Sequence, residues 1–286
     1  MSPTPTHACI IIDDPLLRED YGFLNYRRLL TLMEKHNFFT TIAFIPVNYA
    51  RTDRKIASLF RERKDRFGIC VHGCDHTSGE FAATDPDYLN RKVKLATARM
   101  MEHEKRTGIP FDRVMVFPQG RFSNAALEAL KRNGYLGAVN TEAMPVDGRI
   151  VSDLPFFLRH KPEDVTDSIH EPLFIVLHHD YFKNGYGRLT DFVDALNVKQ
   201  KTIKWTSVGA ALRQHASVGA PFPPLPSMGD DEFARMDLTG FEFYGWKENV
   251  RIRIRRYASE FRDNYLSRND LLLNAARNIL RLGQKL

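Results

Sequence analysis

Cysteine is scarce in this chain of 286 residues, with three in all, Cys9, Cys70 and Cys74. Three is too few, and odd in number, for a disulfide framework; a reducing compartment, the cytoplasm, is the expected location. Long apolar runs are missing as well. Nowhere do 18 apolar residues follow one another, which leaves no candidate for a membrane-spanning helix. The opening MSPTPTHACIIIDDPLL has no basic stretch ahead of its isoleucines, so no signal peptide is expected. A dinucleotide-binding glycine fingerprint is absent too. The net charge of +6 is concentrated at one end: between Phe241 and Leu286, ten Lys/Arg stand against five acids. The remainder is close to neutral, so no nucleic-acid partner is expected.

What is present is a globular composition, 43% hydrophobic and 27% charged, organised as strands alternating with helices. HACIIID (7–13), FFTTIAFIPV (38–47), FGICVHG (67–73) and RVMVFP (113–118) read as buried strands. YLGAVNT, FFLRH, LFIVLHHD and TIKWTS continue the series. Between them lie helical stretches at 26–36, 51–66, 86–106, after the Ser123 cap as far as Gly134, at 188–198 and after 207. This order predicts an α/β fold with a parallel sheet, and seven or eight units favour a closed (β/α)7-8 barrel over residues 1–219. Sites in such barrels gather at the C-terminal ends of the strands.

The strand ends carry the polar residues. Strand one ends in Asp13-Asp14, strand three in His72 with His76 four residues on, strand four in FPQG, strand six in Arg159-His160 and strand seven in His178-His179-Asp180. Two imidazoles and one carboxylate make a three-ligand divalent site with open positions. A second carboxylate can serve as base and a further histidine as acid, which together make metal-assisted hydrolysis of an amide or ester. On the residues alone, the roles within each adjacent pair, Asp13/Asp14 and His178/His179, stay open. Cys74 should face away from the ligands, and Asp75 reads as a loop hydrogen-bonder. His7, His36, His103, His160, His170 and His215 have no companions.

IIIDDP, HGCDH, VFPQGRFS and FIVLHHD, in that order over residues 7–216, resemble the motifs of the polysaccharide deacetylase superfamily (NodB-like, carbohydrate esterase 4). The resemblance implies a distorted NodB-like barrel with Asp13 as general base. It makes Asp14, His72 and His76 the ligands of a divalent metal, zinc being the first choice, and His179 the acid. Gln119 and Gly120 lie on the substrate side, the Gln119 amide facing the oxyanion. It further implies a metal-dependent hydrolase, an N-deacetylase of an acetylated amino sugar or glycoconjugate. The alternatives are a barrel that binds a glycan or partner without turnover, or a hydrolase of another C–N or ester bond. The sequence departs from the pattern at Pro15, Gly73, Thr77 and Gln119, and Val116 stands where an arginine tethers the base. Arg159 is the candidate replacement for that tether.

Residues 220–286 form an extension. APFPPLPSMGDDEF is Pro-rich and marks a boundary, and VRIRIRR alternates as an edge strand would. NDLLLNAARNILRLGQKL is amphipathic and basic. It reads either as a helix packed on the barrel or as a peripheral contact with an anionic membrane.

Overall fold

Ile10, Ile11 and Ile12 are all fully buried, and a strand covered on both faces belongs in a parallel sheet wrapped by helices. The computed structural model describes residues 6–165, 172–219 and 235–269. Among them, β1 (His7–Asp13), β2 (Thr40–Phe44), β3 (Phe67–His72), β4 (Asp112–Val116), β5 (Gly137–Asn140), β6 (Phe156–His160) and β7 (Leu173–His178) pair in sequence order, all parallel. The ring closes because β1 also pairs β7, with Ile10 opposite Ile175 and Asp13 opposite His178. The expected α/β barrel is thus a closed one of seven strands. A two-residue strand, β8 (Lys204–Trp205), is added outside β1.

Side-chain alternation divides the core. Cys9, Ile11, Cys70, Val114, Val116, Val139 and Phe174 form the inner cluster, joined by Val208, Ala211 and Leu212 of α6 (Val208–Gly219). The intervening residues, among them Ile10, Ile12, Ile69, Val71 and Ile175, belong to the outer cluster that meets the helices. Those helices are α1 (Tyr26–His36), α2 (Arg54–Glu62), α3 (Pro86–Thr107), α4 (Asn124–Arg132) and α5 (Gly187–Lys199). Their starts are written in the sequence: Asp53, Asp85 and Ser123 each accept backbone N–H bonds of the first turn. Gly134, at φ 69°, follows the end of α4 in the left-handed region where glycine is favoured.

The inner face of α3 is unusual in carrying Lys92, Arg99 and His103, each at most 1% exposed. His103 meets Thr52 at 2.8 Å and stacks near Phe44, and burial lowers its pKa to about 4. Since the folded state prefers the neutral ring, its contribution to stability is complete above the ordinary histidine value of about 6.5 and is lost as pH falls towards 4. His103→Gln should therefore flatten the fall of urea stability between pH 6.5 and 4 relative to wild type. The same slope in both proteins would contradict this.

The stretch expected as an edge strand is instead helical, within α7 (Phe241–Phe261), which is broken at Gly245 (φ 71°, ψ 169°) ahead of that stretch. Ile252 is 3% exposed and Ile254 63%; both would share the face of a strand, but they diverge on a helix, where only Ile252 meets the barrel. Glu260 accepts from Arg18 at 2.6 Å and pairs with Arg51, and Asn264 accepts from the Gly22 amide at 2.8 Å. Tyr244 bonds to Lys92 at 2.9 Å. These contacts fasten α7 across the mouth of the barrel. The Pro-rich stretch 220–233 and the amphipathic segment 270–286, with its expected membrane contact, lie outside the described residues. Among the described residues no helix is long and apolar enough to cross a membrane.

Candidate metal centre and catalytic cleft

The inward rows of the barrel continue upward into its polar mouth. Asp13 follows Cys9 and Ile11, His72 follows Cys70, Arg159 follows Phe157, and His178 follows Phe174 and Val176. Asp14 would point outward on a regular strand. It turns in because it adopts φ 78°, and His76 and Gln119 share that rare conformation at φ 59° and 53°. Three of the four non-glycine residues with positive φ among the described residues therefore stand at this mouth, where strained backbone commonly serves a function.

Asp14, His72 and His76 converge. His72 Nε2 lies 3.3 Å and His76 Nε2 3.1 Å from Asp14 Oδ1. One ligand atom from each of the three lies within 4.8 Å of the others. His72 Nδ1 is 2.9 Å from the Val116 carbonyl, so Nδ1 donates there and Nε2 is left facing the Asp14 carboxylate. Asp14 Oδ1 is buried without a hydrogen bond. Two imidazole nitrogens and a carboxylate oxygen converging in this way make a donor set that fits a divalent ion. Two nitrogens and one oxygen suit zinc, and also cobalt, nickel, iron and manganese.

Beside the ligands, Asp13 is 2% exposed and receives a hydrogen bond from Arg159 Nη1 at 2.5 Å. Burial pushes its pKa up, but the Arg159 charge and hydrogen bond, with the nearby imidazoles, bring it below the ordinary aspartate value. Arg159 from β6 thus sits where a tether for the base is needed. The two adjacent histidines part company. His178 ends β7, half-exposed, with Nε2 3.8 Å from Asp13 Oδ2. His179 begins a short 3-10 turn and packs edge-on to Tyr21, its Nε2 3.6 Å from Asp263 Oδ1. Gly22 makes room for that ring: a Cβ there would fall 2.1 Å from His179 Nδ1. Gly120, expected on the substrate side, uses its amide within the turn, donating to the Phe117 carbonyl at 3.2 Å. Gln119 lines the cleft.

The His76 loop is held from beneath by residues that the motifs do not contain. Glu80, 5% exposed, accepts from the amides of Cys74, Asp75 and His76 at 3.0, 3.1 and 3.1 Å and lies 3.3 Å from Lys92. Asp75 takes Arg99 at 2.7 Å and the Tyr244 hydroxyl, as befits a loop hydrogen-bonder. Cys74 is buried behind the loop against Arg99. A usable signal was present in sequence: Lys92 and Arg99 interrupt the apolar stripe of α3, and buried cations need acids facing them. Gly73 is explained by the same carboxylate. A Cβ there would lie 2.1 Å from Glu80 Oε1 and 2.4 Å from Pro118, at φ 63°. Gly73→Ser should cost about 2–4 kcal/mol of stability and weaken metal binding; a Tm equal to wild type would contradict the packing described.

Asp14, His76, Gln119, His178, His179 and Asp263 line one open cleft of about 1230 Å³, together with Ile252, Arg255 and Arg256 of α7. Asp263, 5% exposed, also accepts from Tyr21 at 2.8 Å and Arg262 at 2.7 Å. It reaches the mouth from beyond the barrel, and no local pattern marks it.

No family model matches the sequence, and no curated protein matches it. Among solved structures, a protein described as a polysaccharide deacetylase from Mycobacterium smegmatis superposes with TM-score 0.54 at 14% identity, over 79% of this chain and 95% of that one. A family 4 acetyl xylan esterase from Clostridium thermocellum, solved with a cobalt ion, gives 0.49 at 14% identity, over 77% and 95%. A family 4 pseudoenzyme from Bacillus anthracis gives 0.47 at 13%, over 73% and 66%. At 14% identity the first of these shows a likeness of fold alone: the chain has an α/β barrel similar to that of the Mycobacterium smegmatis protein. Function has to come from the site.

Proposed function

We propose that this protein is a metal-dependent hydrolase that removes the acetyl group from the nitrogen of an acetylated amino sugar or glycoconjugate. The observation that carries this reading is the meeting of Asp14, His72 and His76 within 4.8 Å beside an ionised, arginine-held Asp13. A divalent ion bound by those three residues would polarise the acyl carbonyl and acidify water in the cleft. Asp13 takes up a proton at Oδ2, while Arg159 keeps Oδ1 occupied and the carboxylate oriented. The Gln119 turn borders the acyl group, with its amide as the donor to the oxyanion. His179, backed by the Asp263 carboxylate, delivers a proton to the departing amine. Three buried, unpaired cysteines support a reducing location, the cytoplasm.

The 3.8 Å approach of His178 to Asp13 favours a second assignment, in which His178 is the acid. Steady-state acetate release by His178→Ala and His179→Ala decides between them. His179→Ala is expected to lower kcat by about 100-fold or more. His178→Ala should keep most of the wild-type kcat, and the reverse pattern would transfer the role to His178. Neither variant should lose metal.

A further inference from the structure

Resting on the hydrolase reading above, we infer that Arg255 and Arg256 of α7 form a subsite for an anionic group of the substrate, a phosphate or carboxylate carried near the acylated nitrogen. Both side chains line the same cleft as Asp14, His76 and Gln119. The acids of that lining are almost all occupied: Asp14 belongs to the metal set, Asp75 pairs with Arg99, and Asp263 holds Tyr21 and Arg262. Only Asp180, exposed at the rim, remains. Arg255 and Arg256 have no carboxylate partner among the described residues.

Arg256 is the more telling of the two. Its Nε is buried with no hydrogen-bond partner, and a buried donor left open carries a cost that bonding to a ligand would remove. Its side chain is half-buried and lines the cleft. The helical segment that carries both arginines is held at Glu260 by Arg18 and Arg51 and at Asn249, which donates to the Thr239 carbonyl at 2.6 Å. Guanidinium forks on the wall of one cleft match the paired oxygens of phosphate or carboxylate. A neutral acetylated sugar offers them hydroxyl and carbonyl oxygens but no opposite charge.

Calorimetric titration of the zinc-loaded protein with N-acetylglucosamine 1-phosphate, N-acetylmuramic acid and N-acetylglucosamine tests the subsite. At least one of the two anionic sugars should bind about tenfold or more tightly than the neutral one; which one does so separates phosphate from carboxylate. Arg255→Gln/Arg256→Gln should abolish the preference, and added salt should shrink it in wild type. Equal affinities in wild type, a preference that survives the double substitution, or no binding of either anion at millimolar concentration would overturn the subsite. Arg255→Gln alone, at an exposed position, serves if the double variant does not fold by melting temperature. Acetate release is read separately. Its absence with the anion preference intact removes the hydrolase reading and leaves the subsite, whereas release without preference removes the subsite and leaves the hydrolase.

Discussion

Asp14→Ala should purify and dialyse free of divalent metal, while wild type handled alongside retains close to one ion per chain. Loss of an outer hydrogen-bond partner alone typically costs about 10–100-fold in affinity, so deletion of a ligand should cost well over 100-fold. The fold should survive, because Asp14 Oδ1 makes no hydrogen bond and the residue caps no element. Elemental analysis together with circular dichroism checks both halves. Retention of a full equivalent of metal by the variant would mean that the three converging side chains are not the ligands.

Asp13→Asn is the second large effect, and it should act on rate without touching metal content. Asparagine keeps the shape and an oxygen for Arg159 Nη1 but cannot accept a proton, so acetate release should fall by about 100- to 10,000-fold. Stability should fall as well. Arg159 is 5% exposed, and without the Asp13 charge it becomes a buried cation with no counter-charge, a situation that costs about 3–5 kcal/mol. Chemical denaturation of Asp13→Asn beside Arg159→Met/Asp13→Asn separates the two: removing both charges should restore part of the lost stability. Activity unchanged in Asp13→Asn would remove the base assigned here.

Much of this was legible because it depends on local pattern. Buried strands announce themselves as short apolar runs, the caps at Asp85 and Ser123 start helices where expected, and the barrel rule sends strand-end residues to one mouth. Alternation even selects His178 as the inward neighbour of Asp13, through Phe174 and Val176, while His179 leaves the strand. What was not legible is long-range. Asp263 meets His179 only because α7 folds back over the mouth, and Glu80 holds the His76 loop through amides that leave no trace in sequence. The isoleucine–arginine alternation at 251–256 misled because a period of two places both isoleucines on one face, whereas the helix buries only Ile252.

The claim at the centre of this account is hydrolysis at the Asp14–His72–His76 site. The most direct measurement is acetate release from N-acetylated sugars by the metal-loaded protein, before chelation, after chelation, and after metal is returned. The account predicts release that disappears with the metal and comes back with it. Acetate production indifferent to chelation, or none under any of the three conditions, would contradict it.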